Sequence, residues 1–204
     1  DIGYETYINS LDLNFNITYF DILVEDPIMG SNTTSGQDNV PGAENKSKGI
    51  ELSTNWTDKK KLNIGFNYTL TKSYSGVDCD KPEKDKWGYT SCLDTGHGWL
   101  ESAMVRVPIH ALSSKINYQL NKNLNSSLLL TYKGRTRDYG GTDYSFKDQI
   151  LDEYFLVDLF GSYKISEGYN LDFSLKNMFD KNYENSLDYS GTPRTMNIGL
   201  KKSF

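Results

Sequence analysis

The sequence predicts an all-β fold, an antiparallel up-and-down sheet of about nine strands. Two observations make that prediction and a third sharpens it. Apolar residues recur at every second position in one segment after another, the period of a strand whose successive side chains point to opposite faces. The connections alternate between short, turn-rich links and long polar stretches. No run approaches the roughly 20 apolar residues that a membrane-spanning helix needs.

Residues 1–8 make the first segment, and in the second Leu11, Leu13, Phe15, Ile17 and Tyr19 share a face. Ile50, Leu52 and Trp56 do so in the third. The fourth is strict: Leu62, Ile64, Phe66, Tyr68 and Leu70 alternate with Asn63, Gly65, Asn67 and Thr69. Next, Leu112, Ile116, Tyr118 and Leu120 oppose Ser113, Lys115, Asn117 and Gln119. Leu124, Leu128, Leu130 and Tyr132 oppose Asn125, Ser127, Thr131 and Lys133, with Leu129 the one exception. Phe155, Val157, Leu159, Tyr163 and Ile165 face away from Asp158, Ser162 and Lys164. Leu171, Phe173 and Leu175 face away from Asn170, Asp172, Ser174 and Lys176. In the last segment Met196, Ile198, Leu200 and the terminal Phe204 oppose Thr195, Asn197, Gly199 and Ser203.

A strand with one apolar and one polar face suits a core and water, or lipid and a wet lumen. The connections choose between them. Residues 9–10, 57–60, 121–123 and 166–168 are rich in Asn, Asp, Ser, Gly and Lys, as tight antiparallel turns require. Between them lie the long stretches 25–47, 74–110, 135–152 and 180–194. Short turns at one end and long loops at the other are the layout of an outer-membrane barrel. With Phe204 at the short-turn end, every strand direction is consistent.

Composition agrees without deciding. A mean hydropathy of −0.61 would suit a soluble protein, but transmembrane strands hide from hydropathy because only alternate residues meet lipid. The net charge of −5 argues against a nucleic-acid footprint. The chain does not open on a signal peptide, which a secreted barrel needs, so it is expected to be a mature or truncated piece.

Four motifs carry a resemblance. ENKSKGIE at 44–51 resembles a strand segment in which Gly-x-Glu follows a returning loop; RVPIH at 106–110 resembles a V-P-x-H strand opening. NMFDKNYE at 177–184 is similar to an N-L-F-D-K-x-Y segment, and GTPRT at 191–195 to the P-x-R that opens a last strand. Their order and spacing resemble the C-terminal half of a TonB-dependent outer-membrane receptor. Asn197, Gly199 and Phe204 resemble the assembly signal of such barrels, with Lys202 standing where an apolar residue is expected; near the membrane edge a lysine can snorkel.

The resemblance implies a Gram-negative outer-membrane receptor, and no enzyme, that imports a ferric siderophore, haem or cobalamin with energy from the TonB–ExbB–ExbD complex. Such barrels have about 22 strands and a plugged lumen, so residues 1–204 are expected to be a C-terminal portion lacking the plug and N-terminal strands. An open sheet in lipid would leave edge groups unpaired. The rest of the barrel must come from the same or another chain, and lipid and lipopolysaccharide should cover the outside. The resemblance calls for no cofactor.

Candidate sites concentrate in the long loops. Cys79 and Cys92, with twelve residues between them, are expected to form a disulfide in an oxidising compartment. His97 and His110 are the only histidines, which leaves a zinc site short of ligands and a haem ligand at His97 as the sharper alternative. Asp78, Asp80, Glu83, Asp85 and Asp94 read as a solvated acidic surface or a cation-ordered loop, without the D-x-[DN]-x-[DN]-G spacing. Arg135, Arg137, Tyr139 and Trp99 are the chosen ligand-binding residues, because guanidinium groups and rings hold a bulky anionic ligand. Tyr74, Trp87, Tyr89, Tyr144 and Phe146 could join them or contact lipopolysaccharide instead.

Six Asn-x-Ser/Thr triplets, at Asn16, Asn32, Asn45, Asn55, Asn67 and Asn125, read as chance products of a chain rich in Asn, Ser and Thr rather than glycosylation sites. A passive porin or a barrel enzyme are the alternatives in function. Neither histidine has a recognisable nucleophile or acid partner, and the NMFDKNYE and GTPRT segments favour the receptor.

Overall fold

The computed structural model describes residues 1–25, 27–30, 37–39, 43–77, 102–138 and 149–203. Nine long strands run in it: β1 (Ile2–Ile8), β2 (Leu13–Glu25), β3 (Ala43–Thr57), β4 (Leu62–Val77), β5 (His110–Gln119), β6 (Leu124–Lys133), β7 (Tyr154–Ser166), β8 (Tyr169–Lys176) and β9 (Thr195–Lys202). Each pairs antiparallel with its neighbours in sequence, so the sheet is an uninterrupted meander. A short stretch, Ser102–Ala103, adds to the far end of β4.

Register turns the alternation of each strand into two continuous surfaces. Tyr4, Ile17, Leu52, Tyr68, Leu112, Tyr132 and Phe155 form one row across the sheet. Leu13, Trp56, Ile64, Ile116, Leu128, Leu159, Leu175 and Met196 form another on the same face. Because the period is two, a slip of one residue in any pair would turn that strand's apolar set to the wrong side. The opposite face carries Asn16, Ser53, Asn67, Ser113 and Thr131 in one row. Its polar groups bond across strands: Ser127 Oγ donates to Asn117 Oδ1 at 2.7 Å, and Ser162 Oγ to Asp172 Oδ1 at 2.6 Å.

The faces are not pure. Leu129, Leu156 and Phe160 lie on the polar side, and Ser114 and Ser126 on the apolar one. The two serines shed their polarity by donating to the carbonyls of Gly65 and Tyr118, at 3.0 and 3.3 Å. Gly49, in the ENKSKGIE segment, sits opposite Phe20 and Thr71. A Cβ there would overlap the Leu70 carbonyl oxygen and the Phe20 ring, so only glycine lets that ring lie over the strand.

Among the described residues no second layer covers the sheet. Among the described residues the buried apolar side chains are Leu151, Tyr154, Val157 and Leu187, while Tyr4 is 61% exposed and Met196 70%. An apolar face this large has no place in water. No helix of the described residues is long and apolar enough to cross a membrane.

The short-turn end is built by side chains accepting from backbone. Asp58 Oδ1 accepts from the N–H groups of Lys60, Lys61 and Leu62, each at 2.8 Å. Asn121 Oδ1 does the same for Asn123 and Leu124. Asp12 accepts from the Tyr7 hydroxyl at 2.8 Å and ion-pairs with Lys59, tying two neighbouring turns together. The alternation places Leu11 and Leu120 in strands; the structure puts Leu11 in a turn with Asp12 at φ 49°, and ends β5 at Gln119.

The bonds from Leu62, then Lys60 and Lys61, hold the Asp58 carboxyl below its ordinary 3.8. A depressed acid stabilises the turn above that unfolded value, and the contribution disappears as pH falls through the lower native value. Amide protection at residues 60–62 should therefore drop in acid, and Asp58→Ala should show the low protection at every pH. Identical profiles in the two proteins would refute the cap.

Candidate functional site

At the other end, strands outrun the bilayer. A spanning strand needs about 9–11 residues, whereas β3 has 15 and β4 has 16. The surplus carries the long connections, which contain short hairpins that alternation alone does not predict: Ile28–Gly30 with Gln37–Asn39, Thr136–Asp138 with Gln149–Leu151, and Glu184–Ser186 with Tyr189–Ser190.

Two of these hairpins and the RVPIH segment meet at one carboxylate. Asp138 is 0% exposed. Its Oδ1 accepts from Arg106 Nε at 3.0 Å. Its Oδ2 accepts from the Leu187 N–H at 2.8 Å and from Ser186 Oγ at 3.0 Å. Burying a carboxylate is costly unless it is paired and hydrogen-bonded, and here donors from two other connections supply that. The Arg106 backbone is left-handed, φ 63°, and its N–H donates to the Arg137 carbonyl at 2.8 Å. Lys133 Nζ donates to the Asn185 carbonyl at 3.3 Å and the Tyr154 hydroxyl to Asn185 Oδ1 at 2.8 Å, so the same hairpin is pinned onto β6 and β7.

The NMFDKNYE and GTPRT segments form the adjoining corner. Asn177, 3% exposed, accepts from the Lys181 N–H and donates to the carbonyls of Lys181 and Thr192, all within 3.0 Å. Its own N–H donates to Asp158 Oδ1 at 2.7 Å. Asp180 accepts from the Arg194 N–H at 2.8 Å. The Tyr183 ring packs 4.5 Å from Tyr154, and a Cβ at Gly191 would overlap it. These motif residues are structural: they join β8 to β9 and close one wall of a polar cleft of about 490 Å³ between residues 149–153 and 181–191.

The sequence-chosen residues divide. Arg137 lies half-buried in the hairpin that carries Asp138. Arg135 is 69% exposed and points to Glu153, 4.0 Å away. Glu153 also accepts from the Tyr132 hydroxyl on the apolar face. Tyr139, Trp99, Cys79, Cys92, His97, the acidic cluster from Asp78 to Asp94, and the rings of Trp87, Tyr89, Tyr144 and Phe146 lie outside the described residues, as does Phe204. His110 is on the apolar face with Nδ1 2.8 Å from the Tyr68 hydroxyl. Among the described residues no cluster of ligands could hold a metal ion. Asn197 and Gly199 sit on the polar side of β9, and Lys202 places its ammonium 5.4 Å over the Tyr169 ring, which accommodates the charge at the strand's end. Sequence reasoning missed Asp138 and Arg106 as a site. The only available signal was that Arg106 opens the RVPIH motif.

A single layer with one apolar face, one wet face, tight turns at one end and braced connections at the other is the wall of an outer-membrane β-barrel. The model of the TonB-dependent receptor-like β-barrel family matches residues 1–178, and the chain belongs to that family. It is an outer-membrane β-sheet of a Gram-negative bacterium, from a family of transport receptors rather than enzymes. The ferric-catecholate import receptor Fiu of K12 E. coli is similar, with TM-score 0.70 and 17% identity over 99% of this chain and 27% of that one. So are the siderophore receptor PiuA of Acinetobacter baumannii, with TM-score 0.66 and 21% identity over 97% and 26%, and the ferripyoverdine receptor of Pseudomonas aeruginosa, with TM-score 0.66 and 18% identity over 99% and 27%. The chain thus spans about a quarter of the length of these structures. No curated protein sequence matches it.

Proposed function

We propose that this chain is the C-terminal part of a receptor that binds a scarce, bulky ligand at its long-loop end and imports it with energy passed from TonB, ExbB and ExbD. The ligand is of the ferric siderophore, haem or cobalamin class. A plug and the remaining strands complete the barrel, from the same polypeptide or a partner, because β1 and β9 are edges that lipid would leave unpaired. The family match carries the reading, and the braced platform at the long-loop end supports it. Arg135, Arg137, Tyr139 and Trp99 are the side chains to substitute first.

The experiment is uptake of labelled ferric chelates by iron-starved cells carrying the full receptor. Transport should vanish when TonB is deleted. Arg135→Ala with Arg137→Ala should weaken ligand binding while leaving the amount of receptor in the membrane unchanged. Unaltered uptake would remove the two arginines from the site. Free passage of small sugars through the purified assembly would replace the receptor reading by a passive porin.

A further inference from the structure

Arg106 differs from the exposed arginines around it. Arg135 pairs at 4.0 Å with a carboxylate that is itself 52% exposed, and Arg194 at 3.9 Å with one that is 51% exposed. Arg106 instead spends Nε on a carboxylate whose side chain is 1% exposed, while its own side chain is 57% exposed. The guanidinium is thus gripped along one edge by a group that cannot move into solvent. Both of its bonds to Asp138 run through Nε, so the two terminal nitrogens, with the remaining four N–H donors, stand outside that pair.

The backbone adds to the preorganisation. A left-handed arginine costs free energy and persists only where its surroundings impose it. Here the imposing bond is the one from the Arg106 N–H to the Arg137 carbonyl. The Asp138 charge is shared with the Ser186 hydroxyl and the Leu187 N–H, and Lys133 brings a second cation to the same hairpin through Asn185. A guanidinium fork fixed in direction is what a planar oxyanion needs.

We propose that Arg106 contacts the ligand directly, offering the terminal nitrogens of its guanidinium to an oxyanion, the carboxylate or phenolate of a metal chelate, with Asp138 as its positioning residue. This rests on the transport reading above and adds to it the chemistry of the recognised group. Holding the guanidinium in advance lowers the ordering cost of binding.

The test uses the purified full-length receptor, titrated by fluorescence quenching with a trianionic ferric tricatecholate and a neutral ferric trihydroxamate. Arg106→Gln should weaken the tricatecholate by about tenfold, the loss of one charge-assisted contact, and leave any trihydroxamate binding within about twofold. Arg106→Lys should recover part of the loss. Tricatecholate binding that survives Arg106→Gln unchanged overturns the proposal. So does an equal loss for both chelates, which would make Arg106 a brace only, or binding of the trihydroxamate alone by the native receptor. Binding of neither chelate by the native receptor also overturns the Arg106 assignment, while the transport reading is then decided separately by TonB-dependent uptake of haem or cobalamin.

Discussion

Replacing Phe66 by Arg should destabilise the membrane-inserted sheet by about 2–4 kcal/mol, the cost of a cation on the lipid face near the bilayer midplane. Phe66 sits midway along the apolar run of β4, between Thr54 and Ser114 on the neighbouring strands. An arginine there could not snorkel past several rows of Leu, Ile and Tyr on either side. Asn67 is its control. It points to the other face, where its Nδ2 donates to Ser113 Oγ at 3.4 Å, and Asn67→Arg should be tolerated because that face is wet. Urea unfolding in lipid vesicles and the heat-modifiable gel shift of the folded barrel both report the difference. Equal effects of the two substitutions would mean that the faces have been assigned wrongly.

Asp138→Ala should cost about 3 kcal/mol, most of it local to the long-loop end. The substitution strands the Leu187 N–H and the Ser186 hydroxyl in a buried place and frees Arg106. Because Arg106 is more than half exposed, the lost ion pair itself contributes little; the unsatisfied donors dominate. Limited proteolysis should then cut within 102–109 and 184–191 while the nine-stranded sheet survives. Asp138→Asn, which keeps acceptors on one side, should lose less. Unchanged cleavage in Asp138→Ala would show that the carboxylate does not brace these connections.

How far the fold was legible follows from which interactions are local. Strand positions were legible because each strand exposes one face to an apolar medium, so the period of two is written along the chain without help from a partner layer. The turns at 58–61 and 121–124 were legible because Asp58 and Asn121 act on backbone groups within four residues. The exceptions are instructive. Leu129, Leu156 and Phe160 break the alternation on the polar face, opposite Lys115, Thr131 and Ser127 of the neighbouring strands.

The candidate site was legible only in part. Arginine and tyrosine near loop bases suggested ligand contacts; the structure adds that Arg135 lies 4.0 Å from Glu153 and that Arg106 is anchored on the buried Asp138. Nothing local distinguishes them: the difference is a carboxylate 32 residues away from Arg106 along the chain and a hairpin 48 residues beyond that. The Asn177, Asp180 and Gly191 motifs announced a family, but their role as the joint between β8 and β9 needed the two segments in contact.

The sequence by itself determined that this is a meander of alternating strands with tight turns at one end and long connections at the other, and its motifs pointed to an outer-membrane receptor. Short-range periodicity and turn chemistry suffice for that, since each strand meets its solvent independently. Only the tertiary structure decided which carboxylate is buried and which cation it grips, because the burial of Asp138 arises from three connections meeting far apart in sequence, where no period or spacing records the encounter.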